Sequence, residues 1–387
     1  MNKITQFLII FLLPVLVACN DAHIPKSKST KGSIEQLKVL NHLLLPSDVV
    51  LNQSIDYPFD ETYLMKRHQI YTDLSFFEIS SGTGAKAELD YLMIQQRFPE
   101  RYFPWPSAIN VLDTVLTHTI TTQNSALLSD ATNWLRFVQT RLEEATKSNI
   151  KLNKMAHSDL IARITLVNEK LNNVNIKEST ELIEFRSALE QLKAYVLKYK
   201  PRNMLGLRQM PNGVDWYQSK LNYFLGGVKA PDEWLIAIQS ELKSLDSENV
   251  VAIDKMSDAA LQKQLIEVGF ILPQPLLTSL VSQFGIEILN AKVNGLDWQQ
   301  GYINYNETFE SLYEKPGIIN SNFKFFWLTI AEIDLGIHYQ GWGLKQAQHV
   351  LNKRFDLTED EVASLIEHVV FYPGQIMSGA KGLLEKK

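Results

Sequence analysis

The residues best suited to chemistry lie close together near the C-terminal end of the chain, between Asp334 and Trp342. Asp334 and His338 stand four residues apart, so in a helix they share one face. A carboxylate on the same face can orient an imidazole, and nearby aromatic side chains can enclose the pair. We therefore assign Asp334, His338, Tyr339 and Trp342 to a candidate cleft, and we add Tyr217, which comes from the Gly206 to Tyr217 segment.

Three interpretations of this stretch stay open at the level of sequence. In the first, Asp334 orients His338 and the aromatic side chains pack in the protein core. In the second, the same side chains line a cleft that binds a ligand. In the third, Asp334 and His338 combine with His349 or His368 in an unconventional metal site, since carboxylates and imidazoles are common metal ligands.

The spacings that conventional hydrolytic sites require are absent from the sequence. None of the eight histidines is followed by Glu, and no two lie four or five residues apart, whereas a His-Glu-x-x-His zinc site needs both. The single cysteine, Cys19, excludes an internal disulfide and a cysteine-based zinc site. A Gly-x-Ser-x-Gly nucleophile elbow is also lacking. We therefore predict no catalytic residue, no cofactor and no bound metal.

The N-terminal segment has the pattern of a bacterial lipoprotein signal. Lys3 supplies a minimal positive charge, and the apolar stretch over residues 4–17 is too short to span a bilayer comfortably. The segment ends in Leu-Val-Ala-Cys at residues 16–19, which resembles a lipobox. The resemblance implies cleavage before Cys19 and its lipidation by acyl chains such as palmitate, which would hold the protein on a membrane. The alternative is an ordinary secretory signal with a chance cysteine.

Four regions follow from these patterns. Residues 1–18 form the predicted signal peptide, and residues 19–33 form the lipidated cysteine with a flexible polar tether. Residues 34–200 and 201–387 form the predicted N-terminal and C-terminal helical regions, divided where a long helix meets Pro201. The mature protein would lie in the bacterial cell envelope and face the periplasm. Asn20, next to the lipidated cysteine, leaves inner and outer membrane open.

The charge of the chain argues against nucleic acid as a partner. The net charge is −5, and removal of residues 1–18 leaves 37 basic against 43 acidic residues. Beyond the tether lysines no basic block occurs, and phosphate binding needs a concentrated positive face. The predicted partners are a lipid membrane, reached through acylated Cys19, and a peptide or envelope protein.

The spacing of apolar residues predicts an all-α or nearly all-α protein. Leucine, phenylalanine and tryptophan recur at helical intervals over stretches such as 126–145 and 179–197. The best strand signal, residues 250–253, is short, and alternating runs bounded by hairpin turns are absent. Thr358 followed by Glu361 predicts a capping box, and Gly341 predicts the end of a helix. Further helices are expected from residue 60 to 76 and from 344 to 354.

Four segments of the C-terminal half match, in order, a pattern known from one bacterial family. The pattern is Gly-Leu-x-x-Leu-Pro-x-Gly with a following Tyr, then Asp-x-Gly-Ile-His-x-x-Gly-Trp, a Gln-Ala pair and Pro-Gly-Gln. In these segments the chain resembles the domain of unknown function 885 family, whose members are secreted, helical and zinc-metallopeptidase-like. The resemblance implies an elongated, multi-helix, metallopeptidase-like scaffold that could hold a central cleft. The matching positions here are Gly206 to Tyr217, Asp334 to Trp342, Gln346-Ala347 and Pro373-Gly374-Gln375.

The zinc site of that family is missing from this sequence. The family pattern is His-Glu-x-x-Pro-Gly-His-His with a downstream Glu-Gly-Trp, in which imidazoles and a carboxylate hold Zn²⁺ and the first Glu activates water. The nearest remnant, residues 312–319, keeps Pro316-Gly317 but has apolar residues in place of the ligand histidines. This stretch is either a decayed site or a chance turn.

We interpret the chain as a membrane-anchored bacterial lipoprotein that resembles zinc metallopeptidases, is catalytically inactive and binds a peptide or envelope component. One alternative is an active metal-dependent peptidase or hydrolase with an atypical site, motivated by the retained His338. Another is a structural envelope lipoprotein unrelated to peptidases. The three differ in what they require of Asp334 and His338.

Overall fold

The part of the chain that the structure describes is built from α-helices, as the sequence predicted. This computed structural model describes residues 32–33, 36, 61–76, 106–173, 176–225, 228–245, 321–371, 373–374 and 376–385. One π-helical turn, Gly336–Gln340, follows directly on α8. The α-helices in these ranges are α1 (Glu61–Ser75), α2 (Pro106–Thr122), α3 (Leu128–Lys147), α4 (Lys154–Asn173), α5 (Thr180–Lys198), α6 (Gly213–Leu225), α7 (Pro231–Leu245), α8 (Ser321–Leu335), α9 (Leu344–Arg354), α10 (Glu359–Phe371) and α11 (Met377–Glu385).

Several predicted features lie outside the described residues. They are the signal segment, Cys19 with most of the tether, the strand signal at residues 250–253 and the Pro316-Gly317 remnant. Within the described ranges no β-strand occurs, and one isolated parallel bridge joins Asn153 to Arg202. None of the helices in these ranges has the length and apolar character needed to cross a bilayer.

Helix ends lie where local side-chain signals predict them. Helix α5 begins after Ser179, whose hydroxyl accepts a hydrogen bond from Leu182 N at 3.2 Å. At the start of α10, Glu361 N donates to the Thr358 hydroxyl and Thr358 N donates to the Glu361 carboxylate. Gly341, at φ 85°, follows the π-helical turn as its left-handed cap. The predicted capping box and helix end are thus confirmed.

The first apolar core lies between α2, α3, α4 and α5. Helix α5 packs against both α3 and α4, and α2 packs against α3. The apolar stripes that the sequence predicts for α3 and α5 are buried in this core, with Trp134, Phe185 and Leu189 almost fully covered. Each such side chain contributes on the order of 2 kcal/mol when it leaves water, so the stripes hold the four helices together.

The second core is organised around α8, which is apolar on nearly every side. Helix α8 packs against α7, α9, α10 and α11. Residues 325–328, two phenylalanines, a tryptophan and a leucine, are all buried, as expected for a helix that runs through the interior. The buried Glu332 carboxylate accepts hydrogen bonds from Arg354 at 2.6 Å and from Gln239 at 2.9 Å, so its charge is compensated.

The two cores meet near residue 200. Tyr199 is buried in the first core and Leu205 in the second. Between them, Arg202 donates hydrogen bonds to the carbonyl oxygens of Lys151 at 2.9 Å and Gly206 at 2.6 Å. These bonds tie the two sides of the junction together. The predicted division of the chain into two regions at this point stays a prediction.

Candidate functional site

A single π-helical turn carries His338 and Tyr339. It spans Gly336–Gln340, and Gly341 N closes it by donating to the Gly336 carbonyl oxygen five residues earlier. The Trp342 indole can approach the turn this closely because Gly336 has no side chain: a Cβ there would lie 2.3 Å from the indole ring. The indole therefore packs directly on the backbone of the turn. Single π-helical turns of this kind are frequent at functional sites, and the sequence did not predict this one.

Asp334, one turn earlier, is fully buried and ties three elements together. Its two carboxylate oxygens accept hydrogen bonds from Gly374 N at 3.1 Å and 3.0 Å. The same carboxylate accepts a hydrogen bond from the Tyr217 hydroxyl. Tyr217 lies on α6 and Gly374 lies in the turn between α10 and α11, at φ 79°. Asp334 thus fastens α8 to α6 and to the C-terminal turn.

His338 is also fully buried and is held by a backbone carbonyl and an aromatic ring. Its Nε2 lies 2.9 Å from the Val369 carbonyl oxygen, so Nε2 carries the proton and donates. Its ring stacks on that of Tyr217, with centroids 5.5 Å apart and planes at 28°. Within the described part of the chain, Nδ1 has no hydrogen-bond partner. We define the Asp334 cluster as Asp334, Tyr217, His338, Val369 and Gly374.

Burial sets the protonation of the Asp334 cluster. Removal from water raises the pKa of Asp334 to about 7, although the Tyr217 hydroxyl, Gly374 N and the positive charge of Lys220 oppose the rise. Burial lowers the pKa of His338 to about 3, so the imidazole is neutral near neutral pH. Burial and the nearby Asp334 carboxylate raise the pKa of Tyr217 well above its ordinary value. Tyr217 therefore keeps its proton and acts as a donor.

The loop before α6 completes the site from a third direction. A Cβ at Gly206 would lie 1.8 Å from the Ile337 carbonyl oxygen, so the loop backbone touches the π-helical turn directly. Tyr217 follows on α6, and Gly374, which bonds to the same Asp334 carboxylate, is buried next to Lys220 and Leu221 of that helix. Three of the four matched segments thus pack on one another. In the fourth segment, Gln346 is exposed on α9 and Ala347 is buried in the second core.

Tyr339 and Trp342 lie at the surface of the same region and are half-buried. The Tyr339 hydroxyl donates to Asp232 on α7 at 2.8 Å. Arg208, in the loop before α6, donates from Nη1 to the Tyr339 carbonyl oxygen at 2.6 Å. The candidate residues therefore divide into two groups. Asp334, His338 and Tyr217 have no exposed surface, whereas Tyr339 and Trp342 face outward in part.

One detail of the sequence interpretation is wrong. Asp334 does not orient His338, because its oxygens accept from Tyr217 and Gly374 while the imidazole bonds to Val369. Of the two further histidines considered for an unconventional metal site, His349 is exposed, whereas His368 is buried like Asp334 and His338. Among the described residues, no three His, Cys, Asp or Glu side chains are close enough to hold a metal.

Sequence reasoning also missed several residues of the region. Val369, Lys220 and Asp232 carry no local signal that points to Asp334 or Tyr339, because each comes from a distant part of the chain. Arg208 lies inside the first matched segment but was not singled out there. A cleft around the five candidate residues stays a prediction. Three of the five, Asp334, His338 and Tyr217, are buried in the protein interior.

Comparisons with known proteins identify a shared fold but no family. No family model matches the chain, and no curated protein matches it. Among solved structures it is similar to the crystal structure of a "putative lipoprotein" from Colwellia psychrerythraea, with a TM-score of 0.53 and 12% sequence identity. The likeness covers 91% of this chain and 89% of that chain. At this identity it shows a shared fold, and the resemblance to the domain of unknown function 885 family stays a prediction.

Proposed function

We propose that the protein is a lipid-anchored lipoprotein of the bacterial cell envelope that binds a peptide or envelope component without cleaving it. The observation that supports the absence of cleavage is the burial of the Asp334 cluster. A catalytic group must touch its substrate or an attacking water, and geometry comes before pKa in judging a candidate. Asp334, His338 and Tyr217 have no exposed surface, and their hydrogen bonds go to one another or to the backbone.

The lipid anchor is supported by the N-terminal pattern. The Leu-Val-Ala-Cys run ends an apolar segment of signal-peptide length, and Cys19 is the sole cysteine of the chain. The description of the structural neighbour agrees with such an anchor. Acyl chains contribute ~0.8 kcal/mol for each buried methylene, so two or more chains suffice for stable attachment.

The relation to zinc metallopeptidases is the finer part of the proposal. Three of the segments that resemble the domain of unknown function 885 family converge on the Asp334 cluster, as expected if they serve the scaffold together. The zinc motif of that family is absent from the sequence. In our proposal the chain is a degenerate member in which the signature residues maintain the fold, while surface residues of the same region meet a ligand.

Replacement of Cys19 by serine tests the anchor. Because the hydroxyl of serine cannot form the thioether to lipid, we expect the variant to lose the incorporation of palmitate. The measurement is immunoblotting of fractions, with metabolic labelling by radioactive palmitate. Ser27→Ala, a change in the same tether, should leave both labelling and fractionation as they are. A Cys19→Ser protein that still incorporates palmitate would overturn the lipidation proposal.

Hydrolysis assays test the absence of catalysis. The full-length protein, purified in mild detergent, is incubated with a mixture of unstructured peptides, with added zinc and separately with a chelator. We expect no cleavage in either condition above that of the detergent blank, measured by mass spectrometry. Zinc-dependent cleavage that follows the protein through purification would instead support the alternative, an active metal-dependent peptidase or hydrolase with an atypical site.

A further inference from the structure

Arg208 has an unusual environment among the described arginine side chains. Four of these pair with a carboxylate: Arg136 with Glu184 at 3.9 Å, Arg141 with Glu144 at 2.8 Å, Arg163 with Asp159 at 2.8 Å and Arg354 with Glu332 at 2.6 Å. Arg186 and Arg202 are partly buried and donate hydrogen bonds to backbone carbonyl oxygens. Arg208 is exposed, and within the described part of the chain it has no carboxylate at ion-pair distance.

The guanidinium of Arg208 is nevertheless held in place. Its Nη1 donates to the Tyr339 carbonyl oxygen at 2.6 Å, and its Cζ lies 5.9 Å from the centroid of the Tyr339 ring. The ring is fixed in turn, because the Tyr339 hydroxyl donates to Asp232 at 2.8 Å. Tyr339 on the π-helical turn and Asp232 on α7 thus position the guanidinium of Arg208, which lies in the loop before α6. A side chain that is already positioned loses less conformational entropy when a ligand binds.

The part of the guanidinium that remains available has a defined shape. With Nη1 bound to the carbonyl, the edge formed by Nε and Nη2 has no partner among the described residues. That edge presents two parallel N–H donors, the geometry that matches both oxygens of a carboxylate. The Asp232 carboxylate nearby adds negative charge, which disfavours a doubly charged phosphate more than a singly charged carboxylate.

We propose that Arg208, positioned by Tyr339 and Asp232, is a recognition site for a carboxylate group of a peptide ligand. This inference rests on the proposed function, since it names the chemistry that the peptide-binding surface reads. The carboxylate could be the C-terminal group of a peptide or the side chain of an acidic residue, and both present the same pair of oxygens to the Nε–Nη2 edge. The site lies on the outer side of the π-helical turn, whose inner side carries His338.

Nuclear magnetic resonance of the full-length protein in detergent micelles tests the site directly. The protein is labelled with ¹⁵N-arginine, and the Arg208 Nε–H signal is identified by its loss in Arg208→Lys. The probes are acetyl-Ala-Ala with a free C-terminal carboxylate, acetyl-Glu-amide with a side-chain carboxylate, and acetyl-Ala-Ala-amide with neither. Inorganic phosphate is the fourth probe.

We expect a saturable shift of the Arg208 signal with at least one carboxylate probe and none with the amide. The probe that binds more tightly identifies the source of the carboxylate. The Arg136 signal is the internal control, because that exposed guanidinium already has Glu184 beside it. No saturable shift with either carboxylate, an equal shift with the amide, or tighter binding of phosphate would each overturn the proposal.

Variants measured by calorimetry with the better carboxylate probe separate recognition from simple charge. Arg208→Lys keeps the positive charge but lacks the paired donors, so we expect about tenfold weaker binding. Arg136→Lys, the matched change on α3, should leave the affinity unchanged. If Arg208→Lys binds as tightly as the unaltered protein, the fork geometry plays no part and the proposal is wrong.

The same samples distinguish failure of this site from failure of the proposed function. Breakdown of acetyl-Ala-Ala to free alanine is followed by proton signals during the titration. Cleavage together with an Arg208 shift would overturn binding without catalysis and leave the recognition site standing. Neither cleavage nor a shift would remove the recognition site and leave the proposal of a non-catalytic lipoprotein intact.

Discussion

Gly206→Ala is expected to lower the free energy of unfolding by about 3 kcal/mol or more, and to reduce the yield of folded protein. The new Cβ would lie 1.8 Å from the Ile337 carbonyl oxygen and 2.6 Å from the Ile337 carbonyl carbon. Both atoms belong to the backbone of the π-helical turn, so no side chain can rotate away. The loop before α6 and the π-helical turn would have to separate, which would disturb Tyr217 and Asp334 together.

Gly343→Ala is the matched control for this prediction. It lies seven residues beyond Gly336, just before α9, and a Cβ there would meet no atom within 4 Å. We expect a change of at most about 1 kcal/mol, the size of a lost helix-capping preference. Both variants are measured by urea denaturation followed by circular dichroism. A Gly206→Ala protein as stable as Gly343→Ala would mean that the loop is not held against the turn.

The contribution of Asp334 to stability should fall as the pH rises from 5 to 8. Burial raises its pKa from 3.8 to about 7 in the folded state, so the folded protein binds this proton more tightly than the unfolded chain. The stabilisation is complete below pH 3.8 and is lost as the pH rises through about 7. Between pH 5 and pH 8 this group alone lowers the free energy of unfolding by about 3 kcal/mol.

Asp334→Asn isolates that contribution, because asparagine has the same shape and an oxygen that can accept from Tyr217 but does not titrate. The quantity to compare is the change in unfolding free energy from pH 5 to pH 8, since the absolute stability also reflects altered hydrogen bonds at Gly374. The variant should lose the Asp334 contribution, leaving His338 and His368, whose pKa values burial lowers to about 3 and which favour folding at higher pH. An identical pH dependence in both proteins would show that Asp334 has an ordinary pKa.

Local signals in the sequence were enough to predict several helices of the described chain and some of their ends. The predicted stretch 179–197 corresponds to α5, Thr180–Lys198, because its apolar spacing and its Ser179 cap both act within one turn of the helix. The capping box at Thr358 is equally local. Such contacts need no knowledge of the rest of the fold, so single-sequence reasoning can find them.

The surroundings of Asp334 could not be predicted in the same way. Its partner Tyr217 is 117 residues away and Gly374 is 40 residues away, so the contacts depend on how whole helices pack. The four-residue spacing of Asp334 and His338 predicted a direct pair. In the structure both reach Tyr217 instead, Asp334 at its hydroxyl and His338 at its ring. The Arg208 contact with Tyr339 spans 131 residues and was missed for the same reason.

The π-helical turn also acts as a change of phase. A regular helix advances by about 100° per residue, and a π-helical turn holds one residue more than an α-helical turn. The extra residue resets which side of the helix each later side chain occupies. Within the turn His338 is buried and Tyr339 is half-buried, and the residues after the turn lie on a different side from the one that a regular helix would give them. An insertion of one residue can therefore create an outward-facing site beside a core that remains closed.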